Sequence, residues 1–213
     1  MNWNEFAQEV HENACEKGWW DEPVTFGDIV SLCHSEISEA LEEYRAGRPM
    51  EWRKCMTCDG DTPCMESGCG DWNNGECELT CLSPKPEGIA VELGDCVLRI
   101  LDWMGKEGIH PEETMERAGT VRKTWAQLGD DLPEHLCKGG MGDLAAELHL
   151  YLSMAYRNWL NGTGTGPIAT RMALVILRIQ EWAEERGVDL DQVLREKHAY
   201  NKSRPYRHGG KAL

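Results

Sequence analysis

The chain has 213 residues, 41% hydrophobic and 28% charged, an ordinary globular composition long enough to bury a core as one domain or two small ones. Its net charge of −15 repels nucleic acid and anionic membranes and excludes both as expected main partners. No apolar run is long enough to span a bilayer, and the opening MNWNEFAQEV has neither a basic n-region nor an apolar core, so no signal peptide is expected. A cytoplasmic setting follows, in which the ten cysteines are expected as thiols or metal ligands rather than disulfides.

In chain order, residues 3–17 read as a short amphipathic helix that Gly18-Trp19-Trp20-Asp21-Glu22-Pro23 breaks. Residues 27–46 form the next helix, with Ile29, Cys33, Ile37, Ala40, Leu41 and Tyr44 at helical spacing and Gly47 as its stop. A polar, cysteine-dense stretch occupies 49–86. GIAVELGDCVLRILDWMGKEG then restores the period, through Ile89, Leu93, Cys96, Val97, Ile100 and Met104. A helix over 111–127 opens on a proline, which suits a first turn. Helices near 142–160, 167–186 and 189–201 follow the glycine-rich KGGMG. Alternation of the strand kind is absent from this reading, and the expected class is all-α.

The chain also resembles itself. At an offset of 115, Gly27, Asp28, His34, Ser38, Ala40 and Gly47 meet Gly142, Asp143, His149, Ser153, Ala155 and Gly162. At an offset of 79, Ile89-Ala90 meets Ile168-Ala169, Leu98-Arg99-Ile100 meets Leu177-Arg178-Ile179, and Trp103 meets Trp182. The offsets of 115 and 79 differ by 36 residues, close to the length of the cysteine-dense stretch, which the second half replaces with the short NGTGTG. The expected organisation is a tandem helical repeat. Its first unit is 1–130, with the insert at 49–86, and its degenerate second unit is 131–213, with a basic tail. Chance matching between short helices is the competing explanation.

Glu36 and Glu39 sit three apart and share a helix face, and Glu92 and Asp95 repeat that spacing on the helix expected to return alongside. Each pair borders an apolar stripe, so packing the two helices brings four carboxylates to the rim of the buried seam. Such a cluster calls for a cation, and hard oxygen ligands favour Mg²⁺ or Mn²⁺. The matching positions in the second half are Tyr151, Met154, Arg171 and Leu174, so all four acids vanish where the packing residues persist. A requirement of the fold would have kept them in both halves.

SEISEALEEYRAG followed by GIAVELGDCVLRILDW resembles the Glu-x-x-Glu … Glu-x-x-Asp motif of the MazG-like, all-α nucleoside triphosphate pyrophosphohydrolases. The tail KHAYNKSRPYRHGGKA and EKGWWDEP resemble the same family. The resemblance implies Mg²⁺-dependent hydrolysis of a nucleoside triphosphate to a monophosphate and pyrophosphate, with Glu36, Glu39, Glu92 and Asp95 as metal ligands. It also implies that Lys197, Asn201 and Arg204 face the nucleotide. The competing view of those tail residues is a solvated basic end. In this chain the acids survive only in the first half and the Lys-Asn-Arg set only in the second, where the first has Ala118, Arg122 and Trp125. A fused pseudo-dimer with one divided site is therefore expected, and a homodimer of such fused pairs is left open.

CMTCDGDTPCMESGCGDWNNGECELTC offers Cys55, Cys58, Cys77 and Cys81 as a four-thiolate zinc site, with Cys64 and Cys69 as alternative ligands. An iron–sulfur or other metal, loop disulfides and free thiols are the alternatives. Cys15, Cys33, Cys96 and Cys137 read as buried fillers. Trp19 and Trp20 offer flat faces for a nucleobase or cap a small core. His34 is a candidate substrate contact, although its counterpart His149 in the acid-free half argues for a structural role. Two other functions compete with the enzyme: a nucleotide-sensing or partner-binding protein that uses the insert, and a zinc module for nucleic acid, which the charge disfavours.

Overall fold

Thr25 caps a helix in both directions: its backbone N–H donates to Asp28 Oδ2 at 2.8 Å and its hydroxyl accepts from the Asp28 N–H at 3.2 Å. The helix it starts is one of seven among residues 1–54, 72–73, 76–77, 85–127 and 139–207, which a computed structural model of the chain describes. In order they are α1 (Trp3–Glu16), α2 (Phe26–Arg45), α3 (Ile89–Glu107), α4 (Pro111–Gln127), α5 (Met141–Leu160), α6 (Thr165–Glu185) and α7 (Leu190–Ser203). The expected all-α architecture holds, with bounds close to those read from periodicity. None of these helices is long and apolar enough to cross a membrane.

Four short strands depart from that reading: β1 (Trp52–Lys54), β2 (Trp72–Asn73), β3 (Glu76–Cys77) and β4 (Lys85–Glu87). β1 pairs antiparallel with β4, Trp52 opposite Glu87 and Lys54 opposite Lys85, and β2 pairs with β3. Strands of two or three residues are too short to show alternation, and Pro86 inside β4 argues against a strand in sequence.

The core lies where α2, α3, α5 and α6 meet, and includes the fully buried Ile37, Leu93, Ile100, Met104, Leu148, Leu152, Met172 and Ile176. Each such side chain stabilises by roughly 1.5–3 kcal/mol through the apolar area removed from water. Phe26, opening α2, packs on Trp103 near the end of α3 with ring centres 5.2 Å apart, whereas Glu36 further along meets Arg99. The two helices therefore run antiparallel. α1 crosses α3 so closely that a Cβ on Gly105 would lie 2.7 Å from the Ala7 carbonyl oxygen, which explains glycine inside that helix.

α2 and α5 pack on one another, and α5 on α6 as α2 on α3. α4 packs on α6 and α7 on α3, so each terminal helix covers the other half of the molecule. At the α2–α5 contact His34 Nδ1 lies 2.6 Å from His149 Nδ1. Burial lowers both imidazole pKa values, and the neighbouring His149 lowers that of His34 further. The unfolded chain therefore takes up protons first as pH falls, and stability present above the ordinary value of 6.5 is lost below it. Replacing His34 and His149 together with Gln should flatten the fall in melting temperature between about pH 6.5 and 5. An unchanged acid limb would place that loss elsewhere.

Candidate metal and nucleotide site

Three of the four paired acids converge. Oxygen atoms of Glu36, Glu39 and Glu92 lie within 4.8 Å of one another, two of the residues buried and Glu39 exposed. They reach this point because α2 and α3 pack along stripes that the acids border, so the carboxylates emerge at the edge of the seam. Glu36 is 6% exposed and Glu92 4% exposed. Glu39 accepts only a modest contact from Ser35 Oγ, at 3.1 Å.

The electrostatics follow from burial and crowding. Burial raises the Glu36 carboxyl, Asp95 and Glu39 raise it further, and the Arg99 guanidinium offsets part of this with Nε 2.7 Å from Oε1. Glu92 is pushed up to about 9, first by burial and then by Asp95 and Glu87. Without a cation, Glu92 is therefore protonated at neutral pH. Asp95 stands apart from the tight triad, its Oδ2 2.8 Å from Lys197 Nζ. Burial alone would depress the Lys197 ammonium, but Asp95 and Glu92 outweigh it and the pKa rises. Lys197 also donates to the Pro86 carbonyl at 3.3 Å.

These acids lie at a cavity of about 350 Å³. Lys197, Asn201 and Arg204 of α7 and its C-cap line the same cavity, as do Trp19 and Trp20. The Trp20 indole donates to Asp102 Oδ1 at 2.9 Å, and His11 Nδ1 lies 2.7 Å from the same oxygen. Lys106 Nζ sits 4.7 Å above the Trp20 ring, a cation–π contact. The tail fixes the loop that carries both tryptophans: Lys17 Nζ donates to the Arg204 carbonyl at 2.7 Å, and Arg207 Nε to the Gly18 carbonyl at 3.2 Å. The tail is therefore tied to the body at Arg204 and Arg207, while Lys202, Ser203, Pro205 and Tyr206 are exposed.

His34 is not among the residues lining the cavity; it faces His149 instead. Cys55, Cys58, Cys64, Cys69 and Cys81 lie outside the described residues, as does Cys137, and Cys77 is described only through its place in β3. Of the expected fillers, Cys33 and Cys96 are buried as anticipated, whereas Cys15 is exposed, with its Sγ 3.6 Å from His11 Nε2.

Arg99, Asp102 and Lys85 also line the cavity and escaped the sequence reading. A signal for Arg99 was present: Leu98-Arg99-Ile100 matches Leu177-Arg178-Ile179, so an arginine recurs inside an otherwise apolar stripe. In the second half that arginine also meets an acid, Arg178 Nε lying 2.8 Å from Glu147 Oε2, while Tyr151, where Glu36 would be matched, donates to Glu147 at 2.8 Å. The donor set Glu36, Glu39 and Glu92 is all carboxyl oxygen, and suits a hard divalent cation such as Mg²⁺ or Mn²⁺, which would displace the Glu92 proton. Comparison with family models, with curated proteins and with solved structures returned no match.

Proposed function

We propose that the chain is a MazG-like nucleotide pyrophosphohydrolase, converting a nucleoside triphosphate to a monophosphate and pyrophosphate at one cavity. The observation that carries this reading is the placement of clustered acids and tail cations around one space. Glu36, Glu39 and Glu92 converge at the cavity, and Lys197, Asn201 and Arg204 from the distant end of the chain line the same space. A bound Mg²⁺ or Mn²⁺ would neutralise polyphosphate charge and lower the pKa of a bound water. The chain's own contribution is to hold that ion through the three carboxylates, to meet phosphate oxygens with Lys197 and Arg204, and to offer Trp19 and Trp20 as flat faces for a base. The Asp102 hydrogen bond keeps the Trp20 ring from swinging.

The tandem-repeat reading gains support from three features. α2 and α5 begin and end 115 residues apart, the offset read from sequence. His34 and His149 are counterparts at that offset and touch, as equivalent residues do on a two-fold axis. α4 and α7 begin 79 residues apart, and each packs on the other half. The reading of a divided site within one chain is supported by this crossing: Lys197 of the second half meets Asp95 of the first. Structural zinc held by the insert remains part of the proposal, with the ligands named from sequence.

A second reading, a nucleotide-sensing or partner-binding protein, is favoured by one observation. Arg99 and Lys197 already neutralise Glu36 and Asp95, so part of the acid set is compensated internally. Product analysis on a panel of nucleoside triphosphates with Mg²⁺ separates the two. Monophosphate and pyrophosphate in equal amounts are expected. Inorganic phosphate from the γ position would overturn the hydrolase assignment, and nucleotide binding without turnover would favour the second reading.

A further inference from the structure

Among the described residues, one that lines the acid cavity comes from the root of the cysteine-dense insert rather than from the helices. Lys85, in β4, lines the cavity, and its Nζ lies 2.5 Å from Glu87 Oε1. Glu87 is itself hydrogen-bonded to Glu92, one of the three converging acids. The strand is fixed from several directions. Pro86 accepts from Lys197, β1 is tied to α7 by the Arg53–Glu196 ion pair, and β4 turns into α3 at Gly88. Gly88 has φ +117°, and a Cβ there would fall 2.6 Å from the Met50 carbonyl oxygen, so the ribbon is held against the α3 N-terminus by a turn that only glycine fits.

One feature says that this lysine is not there for the fold. At the offset of 79, the counterparts of Lys85 and Glu87 are Gly164 and Gly166, so the acid-free half lacks both charges. Beside Lys197, which is buried and paired with Asp95, the cavity has partly exposed cations, among them Arg99 next to Glu36 and Lys85 next to Glu87, that can meet an incoming polyanion. Lys85, partly exposed beside the acids, is placed to do so as a mobile point charge.

We infer that Lys85 is a substrate-binding residue for the pyrophosphate end of the nucleoside triphosphate, delivered to the acid site by the root of the insert. The inference rests on the pyrophosphohydrolase reading. Calorimetric titration of the full chain with inorganic pyrophosphate in Mg²⁺, and separately with nucleoside monophosphate, tests it without requiring turnover. Lys85→Ala should weaken pyrophosphate by roughly ten- to a hundredfold, the loss of one charge-assisted hydrogen bond, and leave the monophosphate unchanged. KM for the triphosphate should rise by a similar factor, and Lys85→Arg should recover most of both. Lys85→Gln, which keeps most of the side-chain length without the charge, repeats the measurement should alanine disturb the ribbon. Equal pyrophosphate affinity in wild type and variant, or equal losses for pyrophosphate and monophosphate, would overturn the Lys85 assignment while hydrolysis by the wild type keeps the reading standing. A wild type that neither binds pyrophosphate nor hydrolyses triphosphates would overturn both.

Discussion

Replacing Glu39 with Gln should reduce turnover by roughly a thousandfold or more while leaving the fold almost untouched. The size follows from losing a charged ligand at a hard-cation site, where several kcal/mol of transition-state stabilisation are at stake. The folding half follows from geometry: Glu39 is exposed, and its contact with Ser35 keeps an acceptor oxygen in the Gln side chain. Surface changes of this kind usually shift stability by about 0.5 kcal/mol or less. Asp95→Asn is a poorer test, although it removes the same kind of group. It takes the nearest counter-charge from Lys197, which is 2% exposed, and should cost on the order of 3 kcal/mol of folding. Steady-state rates and thermal melts on both variants check the contrast. Near-normal turnover in Glu39→Gln would place the reactive site elsewhere.

That contrast marks where the sequence could be read and where it could not. Helix positions were legible because apolar residues recur at the helical period and because Gly47, Pro111 and Gly108 punctuate it. Glu36, Glu39 and Glu92 were legible because spacing of three or four residues fixes a shared face before any tertiary contact forms. Asp95 was legible as an acid at the seam but not as the partner of Lys197, since that pairing depends on α7 crossing to α3 from the other half. Arg99 and Asp102 fall within a helix whose apolar stripe is nearly continuous, and a charged residue there gives no sign in sequence of whether it faces solvent or a cavity. β4 was hidden by its three-residue length and by Pro86, which forfeits a ladder hydrogen bond. His34 was a candidate substrate contact, yet a shift of two residues turns a helical side chain by about 200° from Glu36, and it meets His149 instead. Local periodicity thus carries the elements, and the long-range pairing of charges needs the fold.

Glu92→Gln should stabilise the metal-free protein at alkaline pH while destroying its response to divalent cations. The carboxyl of Glu92 is pushed up to about 9 from an ordinary 4.5, mainly by burial. A carboxyl raised on folding holds a proton that the unfolded chain has released, so its contribution is complete below about pH 4.5 and drains away as pH climbs towards 9. The linked slope for one such group is about 1.4 kcal/mol per pH unit within that window. Glutamine mimics the protonated form and has no proton to lose, so its melting temperature should pull steadily ahead of wild type as pH rises. Measuring both between about pH 7 and 9 avoids the histidine pair, whose lowered pKa values act below the ordinary 6.5. Mg²⁺ competes with the Glu92 proton for the same oxygens, so the gain in wild-type melting temperature on adding Mg²⁺ should grow with pH, with release of about one proton per ion near neutrality. The variant should show little gain at any pH, because an amide oxygen is a weaker ligand for a hard cation than a carboxylate. Parallel stability curves for wild type and Glu92→Gln across that range would mean that Glu92 already carries its charge in the folded chain, and that neither burial nor Asp95 governs it.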